Sequence, residues 1–247
     1  MGPGQALGAA RALLLSRTAG YRHESIPPGA AAIRRIGGEH GLAVDHTEDA
    51  GRLHDAGLEG YRALAFLSTT GDFLDDRQGA AVRRFVERGG GWVGIHAASA
   101  AEYDWPWYGE LVGAWFARHP EVQRATIHVA DPDHPATAPL PARWVRTDEW
   151  YDFRANPRGR VHVLATVDES TYRGGRMGAD HPIAWCHRVG AGRAVYTALG
   201  HTVSSFAEPL FLDHLLGALR WACGPAGNHR PPLTDPEEGG PTRQGRG

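Results

Sequence analysis

The sequence predicts an α/β fold, with a parallel sheet covered by helices in the first half of the chain and an antiparallel β extension in the second. Three observations carry this. Up to about position 100, short apolar runs alternate with amphipathic stretches closed by glycine, the pattern of repeated strand-helix units. After position 120 the texture changes to short strand-like runs (RATIHVA, WVRTDEWYDF, VHVLATVD) punctuated by Pro, Asp and Gly. AEPLFLDHLLGALRWACG (207 to 224) then reads as one amphipathic closing helix.

Taken in order, ARALLLS (10 to 16) is a buried strand, followed by the polar loop RTAGYRHESIPPG. AAAIRRIGGEHG follows as a helix with Ala30, Ile33 and Ile36 on one face, stopped by its glycines. LAVDHTED (42 to 49) and YRALAFLSTTGD (61 to 72) supply two further strands. LDDRQGAAVRRFVERGGG (74 to 91) opens on acids and repeats Ala81, Val82, Phe85 and Val86 at helical spacing before a glycine stop. WVGIHA is the fourth strand, and PIAWCHRVGAGRAVYTALG holds the last core strands. The tail 225 to 247 offers almost nothing apolar to bury, so a disordered tail is expected, with a flexible N-terminus at 1 to 9 and a domain at 10 to 224.

Composition excludes several functions. A formal net charge of -2 gives no cationic footprint for nucleic acid or an anionic membrane surface. All 26 basic side chains are Arg. Without a Lys there is no Schiff base, hence no pyridoxal phosphate (PLP) chemistry, and no P-loop lysine. No GxGxxG turn follows the first strand, so a nicotinamide cofactor is not expected. Two cysteines, Cys186 and Cys223, cannot build a disulfide framework, and no run approaches the roughly 20 apolar residues needed to span a bilayer; a cytoplasmic protein is expected. The unusual count is 14 histidines, the side chain that titrates near neutrality and the commonest metal ligand.

Ligands of open parallel sheets bind beyond the carboxyl ends of the strands. The residues expected there are His23 after the first strand, Asp72 after the third, His96 and Ser99 after the fourth, and His201 after the last. DEWYDF adds Asp148, Glu149 and Tyr151 from the extension, FARHP adds His119, and Trp105 is a candidate rim aromatic. In GGGWVGIHAAS, His96 stands at the strand-to-helix elbow where many α/β enzymes carry a Ser or Cys nucleophile. Ser99 has no evident base and Cys186 lies inside a strand, so covalent acyl chemistry is disfavoured. Two chemistries remain open: acid/base work by His96, His201, His23 and Glu149, or a divalent ion such as Zn or Mn on His23, His96 and His201 with Glu149 or Asp72. Tyr151, Asp72, Asp148, His119 and Trp105 are the expected substrate contacts. His119 and His181 each precede proline, which suits turns; His128, His162 and His187 fall in strand-like runs.

The ordered set YRHES, STTGDFL, GGGWVGIHAAS, FARHP, DEWYDF and HPIAWCHRVGAGRAVYTALGH resembles the ThuA-like family, named for trehalose utilisation, over roughly residues 10 to 224. The resemblance implies a flavodoxin-like three-layer sandwich of the class I glutamine amidotransferase type. It also implies a small-molecule carbohydrate as partner, an oxidised 3-keto sugar or glycoside. His96 replaces the elbow Cys of that superfamily, and Thr202, Val203 and Ser204 after His201 lack its HxE glutamate, so amidotransferase activity is not carried over. A lyase, isomerase or hydrolase of sugars is the expectation; a non-catalytic sugar-binding module on a disabled scaffold and a metal-dependent hydrolase are the alternatives. Assembly as a homo-oligomer is left open.

Overall fold

The computed structural model describes residues 10 to 224; the expected flexible segment 1 to 9 and the tail 225 to 247 lie outside the described residues. β1 (Ala10–Leu15) buries its last four side chains and pairs in parallel with β2 (Leu42–Thr47) on one side and β3 (Ala63–Leu67) on the other. β5 (Gly91–Ile95) joins β3, and β13 (Gly192–Thr197) joins β5, again in parallel. β3, β5 and β13 are buried at every position, which is why they read as continuous apolar runs. From β13 outward, β12 (Pro182–Val189), β11 (His162–Asp168), β8 (Gln123–Val129) and β9 (Arg143–Asp148) continue the sheet with antiparallel pairing. The full order is β2-β1-β3-β5-β13-β12-β11-β8-β9. Two short ribbons frame its carboxyl edge: β4 (Thr70–Gly71) with β6 (Ala100–Ala101), and β7 (Phe116–Arg118) with β10 (Asp152–Phe153).

The parallel half has the doubly wound flavodoxin order, reversing direction at β1. Right-handed crossovers running from β1 out to β2 and from β3 the opposite way to β5 place α1 (Ile26–Glu39) and α2 (Asp76–Glu87) on opposite faces. α4 (Pro209–Cys223) packs beside α1 and over β1, β3, β5 and β13. α3 (Pro106–Val112) is linked to α2 through the Trp107 indole, which donates to Glu87 at 3.0 Å. The result is the expected three-layer sandwich with an antiparallel extension. α2 starts on a full capping box: Asp75 accepts from the Arg77 and Gln78 amides, and Gln78 accepts from the Asp75 amide.

α1 differs from its sequence reading at both ends. It begins at Ile26 because Pro27 and Pro28 fall in the first turn, where amide hydrogens have no helical acceptor. It also runs through Gly37 and Gly38 instead of stopping there. Gly37 is needed for contact with β2: a Cβ there would stand 2.7 Å from Val44 Cγ2 and 2.8 Å from the Leu42 carbonyl oxygen, whereas nothing lies within 4 Å of one at Gly38. Gly38→Ala should therefore stabilise the fold by about 0.5–1 kcal/mol through helix propensity alone. Gly37→Ala should destabilise it by about 1–3 kcal/mol, because overpacking outweighs the same propensity gain. Denaturant unfolding of the two variants checks the pair of signs.

His214 of α4 is buried, donates from Nδ1 to the Ala136 carbonyl at 2.7 Å, and is pushed by burial down to about 4. The unfolded chain protonates this ring near 6.5 and the folded chain only near 4, so between those values the unfolded state binds more protons and stability falls with pH. His214→Asn keeps a comparable donor and should remove this share of the acid sensitivity, read as the difference in melting temperature between pH 7 and pH 4.5.

Candidate active site

The turn after β5 sets the site. His96 has φ +53°, a left-handed conformation that a side chain rarely adopts, at the start of the 3-10 turn His96–Ser99. Three bonds hold it. His96 Nδ1 donates to the Ala198 carbonyl at 2.8 Å, the Tyr196 hydroxyl donates to the His96 carbonyl at 2.8 Å, and Ser99 Oγ meets that same hydroxyl at 2.8 Å. Ser99 is thus fully buried in the support of the elbow, with no histidine base on its oxygen.

Because His96 Nδ1 carries the proton, Nε2 presents its lone pair. Around it stand the Tyr151 hydroxyl at 2.9 Å, His201 Nδ1 at 3.2 Å and Glu149 Oε2 at 3.5 Å. His23 packs edge-on to both His96 and His201, with ring centroids 4.8 and 5.3 Å away. One donor atom each from His23, His96, Glu149 and His201 lies within 4.8 Å of all the others. Burial holds His96 well below the ordinary imidazole value, reinforced by His23, and pushes His23 down to about 4. His201 moves the other way: its hydrogen bond to Glu149, at 3.1 Å, raises it. Within the group, His23 and His96 thus favour the neutral form and His201 is shifted toward the charged one. Burial keeps the Tyr151 phenol protonated, well above its ordinary value.

Glu149 and His201 come from distant strands and are joined by Asp148. This fully buried carboxylate accepts from the Glu149 amide at 3.0 Å, the Gly200 amide at 2.9 Å and the His201 amide at 3.1 Å. Arg146 balances it at 3.2 Å, bonded in turn to Ser205 and Glu208 and packed on the Trp144 and Phe211 rings. Sequence reasoning placed Asp148 among the substrate contacts; its oxygens instead hold backbone and Arg146, below the cleft.

The cleft above the four donors encloses about 750 Å³, bounded by Tyr21, His23, Thr70, Phe116, His119, Val122, Glu149, Tyr151 and His201 among others. It brings together the sequence candidates His23, His96, His201, Glu149, Tyr151 and His119, the last reaching Glu149 Oε1 at 3.0 Å. Asp72 and Trp105 are not there. They line a separate depression beside Asp75, Asp76 and Glu102, where Trp105 covers Gly79 of α2 and lies against the Trp107 ring. Phe116 and Val122 were not singled out from the sequence; the signal available was their adjacency to His119 in WFARHPEV.

A second trio, Asp152, Glu169 and His181, also lies within 4.8 Å, but its atoms are already engaged. Arg118 and the Arg176 amide occupy Asp152, the Met177 amide occupies Glu169, and His181 bonds the Tyr151 carbonyl. His181 is therefore a support beneath Tyr151, consistent with the turn role its proline suggests. Cys186 is buried with its thiol pushed up to about 12, which removes it as a nucleophile.

Asp148→Asn keeps the shape of the side chain but turns an NH2 toward the Gly200 amide or Arg146. Arg146 keeps Glu208 as a counter-charge, so the cost comes from one lost charge pair and one misplaced buried donor and should lower stability by about 1–3 kcal/mol, measured by denaturant unfolding against Asp213→Asn, a substitution of an exposed carboxylate on α4.

The family model ThuA, described as trehalose utilisation, matches residues 11 to 222. A ThuA-like protein from Bacteroides uniformis ATCC 8492 is 24% identical, with a TM-score of 0.74 over 90% of this chain and 94% of that one. A ThuA-like protein from Parabacteroides merdae ATCC 43184 is 20% identical, with a TM-score of 0.73 over 91% and 93%. A cytoplasmic protein of Salmonella typhimurium LT2 shares the fold at a TM-score of 0.63 and 13% identity, over 86% of this chain and 99% of that one. No curated protein matches the chain significantly. With nearly all its described residues inside the family match and the elbow, late-loop histidine and DEWYDF segment assembled around one cleft, the chain belongs to the ThuA family.

Proposed function

We propose that the chain is a metal-dependent enzyme acting on an uncharged, oxidised (3-keto) sugar or glycoside. The observation that supports this most directly is the convergence of three imidazoles and one carboxylate, with His23, His201 and Glu149 lining a single cleft and His96 buried directly beneath them. His96 Nε2, His201 Nδ1, Glu149 and His23 would hold a divalent ion, and a set of imidazole and carboxylate donors suits Zn or Mn. The fit is supported by His23 Nδ1, a buried polar atom with no hydrogen-bond partner. When bound, such an ion supplies Lewis-acid polarisation of a carbonyl oxygen, which acidifies the neighbouring carbon.

The remaining roles fall to the chain. His96 is held in one tautomer by Ala198, so the same nitrogen always faces the cleft. His119 lies half-exposed beside Glu149, where a proton can pass between a bound sugar and solvent. Tyr21 and Val122 expose apolar surface on the lips, 67% and 40%, suited to the C–H face of a sugar ring. No Arg lines the cleft among the described residues, which favours an uncharged ligand over a phosphorylated or carboxylated one. The family's description, trehalose utilisation, supports a carbohydrate. A cytoplasmic site of action accords with the free thiols of Cys186 and Cys223. Among the described residues no helix is long and apolar enough to cross a membrane.

Metal analysis by mass spectrometry of purified wild-type protein and His96→Ala tests the reading. The expected result is close to one divalent ion per chain in the wild type and its loss in the variant, with keto-sugar turnover abolished by chelation and restored by one ion. Wild-type protein that takes up no ion after dialysis against Zn and Mn overturns it.

A further inference from the structure

The buried hydroxyl of Tyr151 touches the site without belonging to its donor set. It donates to His96 Nε2 at 2.9 Å. That nitrogen has one lone pair, which can accept the phenol's hydrogen or ligate an ion, but not both. Occupation of the four-donor set therefore releases the Tyr151 hydrogen at the rim of the site, on the side facing the cleft that Tyr151 lines.

The ring cannot swing away to follow another acceptor. It lies against the Phe116 ring with centroids 4.3 Å apart and against His96 at 4.4 Å. Its backbone is fixed as well: the Tyr151 carbonyl accepts from His181 Nε2 at 2.8 Å, and His181 is itself held from the other side by Glu169 at 2.8 Å and the Tyr172 hydroxyl at 3.1 Å. All three of Tyr151, His181 and Tyr172 are buried, so this support excludes water from the back of the phenol.

We infer that the Tyr151 hydroxyl is the hydrogen-bond donor to whatever anionic or carbonyl oxygen-like ligand occupies the open position beside the four-donor set, with the His181–Glu169 pair as its positioning residues. Such a donor, fixed before the ligand arrives, stabilises negative charge as it develops on a carbonyl oxygen. The inference rests on the metal-site reading above. It adds a residue outside the donor set that contacts the ligand, and it assigns the second buried trio a purpose.

The test uses the full chain loaded with Co(II) and azide as the probe, followed through the visible absorption of the ion. Stoichiometric Co(II) uptake is measured first; wild-type protein that takes up no Co(II) overturns the metal reading and this inference together. With Co(II) bound, Tyr151→Phe, which keeps the ring and its packing, should retain the ion and weaken azide by about tenfold or more, the effect of one hydrogen bond to a charged group. Tyr103→Phe, a tyrosine that donates to the Phe116 carbonyl at 3.1 Å, should leave azide affinity unchanged. Equal azide affinity in Tyr151→Phe and wild type, or wild type that binds no azide, overturns the donor role alone. Loss of Co(II) from Tyr151→Phe also overturns it, by making the phenol a ligand.

Discussion

The site depends on one buried carboxylate. β9 is the far edge of the nine-stranded sheet, four places from β13, yet Asp148 at its end bonds the amides of Gly200 and His201 that follow β13. The antiparallel half must curl round the end of the parallel half for this to happen. Arg146, two residues earlier and on the same face of β9, reaches Ser205 and Glu208 ahead of α4 and completes the closure. A charge buried this deeply is tolerated because every oxygen is used: three amide hydrogens and one guanidinium share two atoms. Glu149 and His201 inherit their positions from that arrangement.

Around this frame the electrostatics are divided by burial. His23 and His96 favour the neutral form because desolvation penalises their charged forms, while Glu149 beside His201 shifts that ring the other way, toward the charged form. Glu149 Oε1 leads outward from this group to the half-exposed His119 at the rim. The route from floor to solvent is short and passes through named atoms.

Much of the architecture was legible in the sequence, because its signals were local. Strand runs, the Asp75 capping box and the texture change near position 120 each depend on neighbours a few residues apart. The site was legible to the extent that it follows strand ends: His23, His96 and His201 all stand just beyond parallel strands. Asp72 also follows a strand, but β4 turns it toward α2, and Trp105 is claimed by the gap above Gly79. Asp148 and Glu149 are adjacent in sequence and chemically alike, and only the curl of β9 decides which faces backbone and which faces the cleft. The passage of α1 through Gly37 likewise depends on Val44, which lies on another element.

The strained elbow explains why an imidazole can stand where related folds carry a thiol. A thiolate needs only to be exposed and activated, whereas an imidazole must also have its two nitrogens told apart. Ile95 pairs with Thr197, and that register brings the next carbonyl of the β13 segment, Ala198, to 2.8 Å from His96 Nδ1. The left-handed turn then aims Nε2 away from the sheet and toward His201, Glu149 and Tyr151. A cysteine at the same φ would leave the Ala198 carbonyl without its partner. The strain at position 96 thus serves orientation in this chain: it fixes one lone pair at the centre of a buried polar group, and the chemistry the fold can perform follows from where that lone pair points.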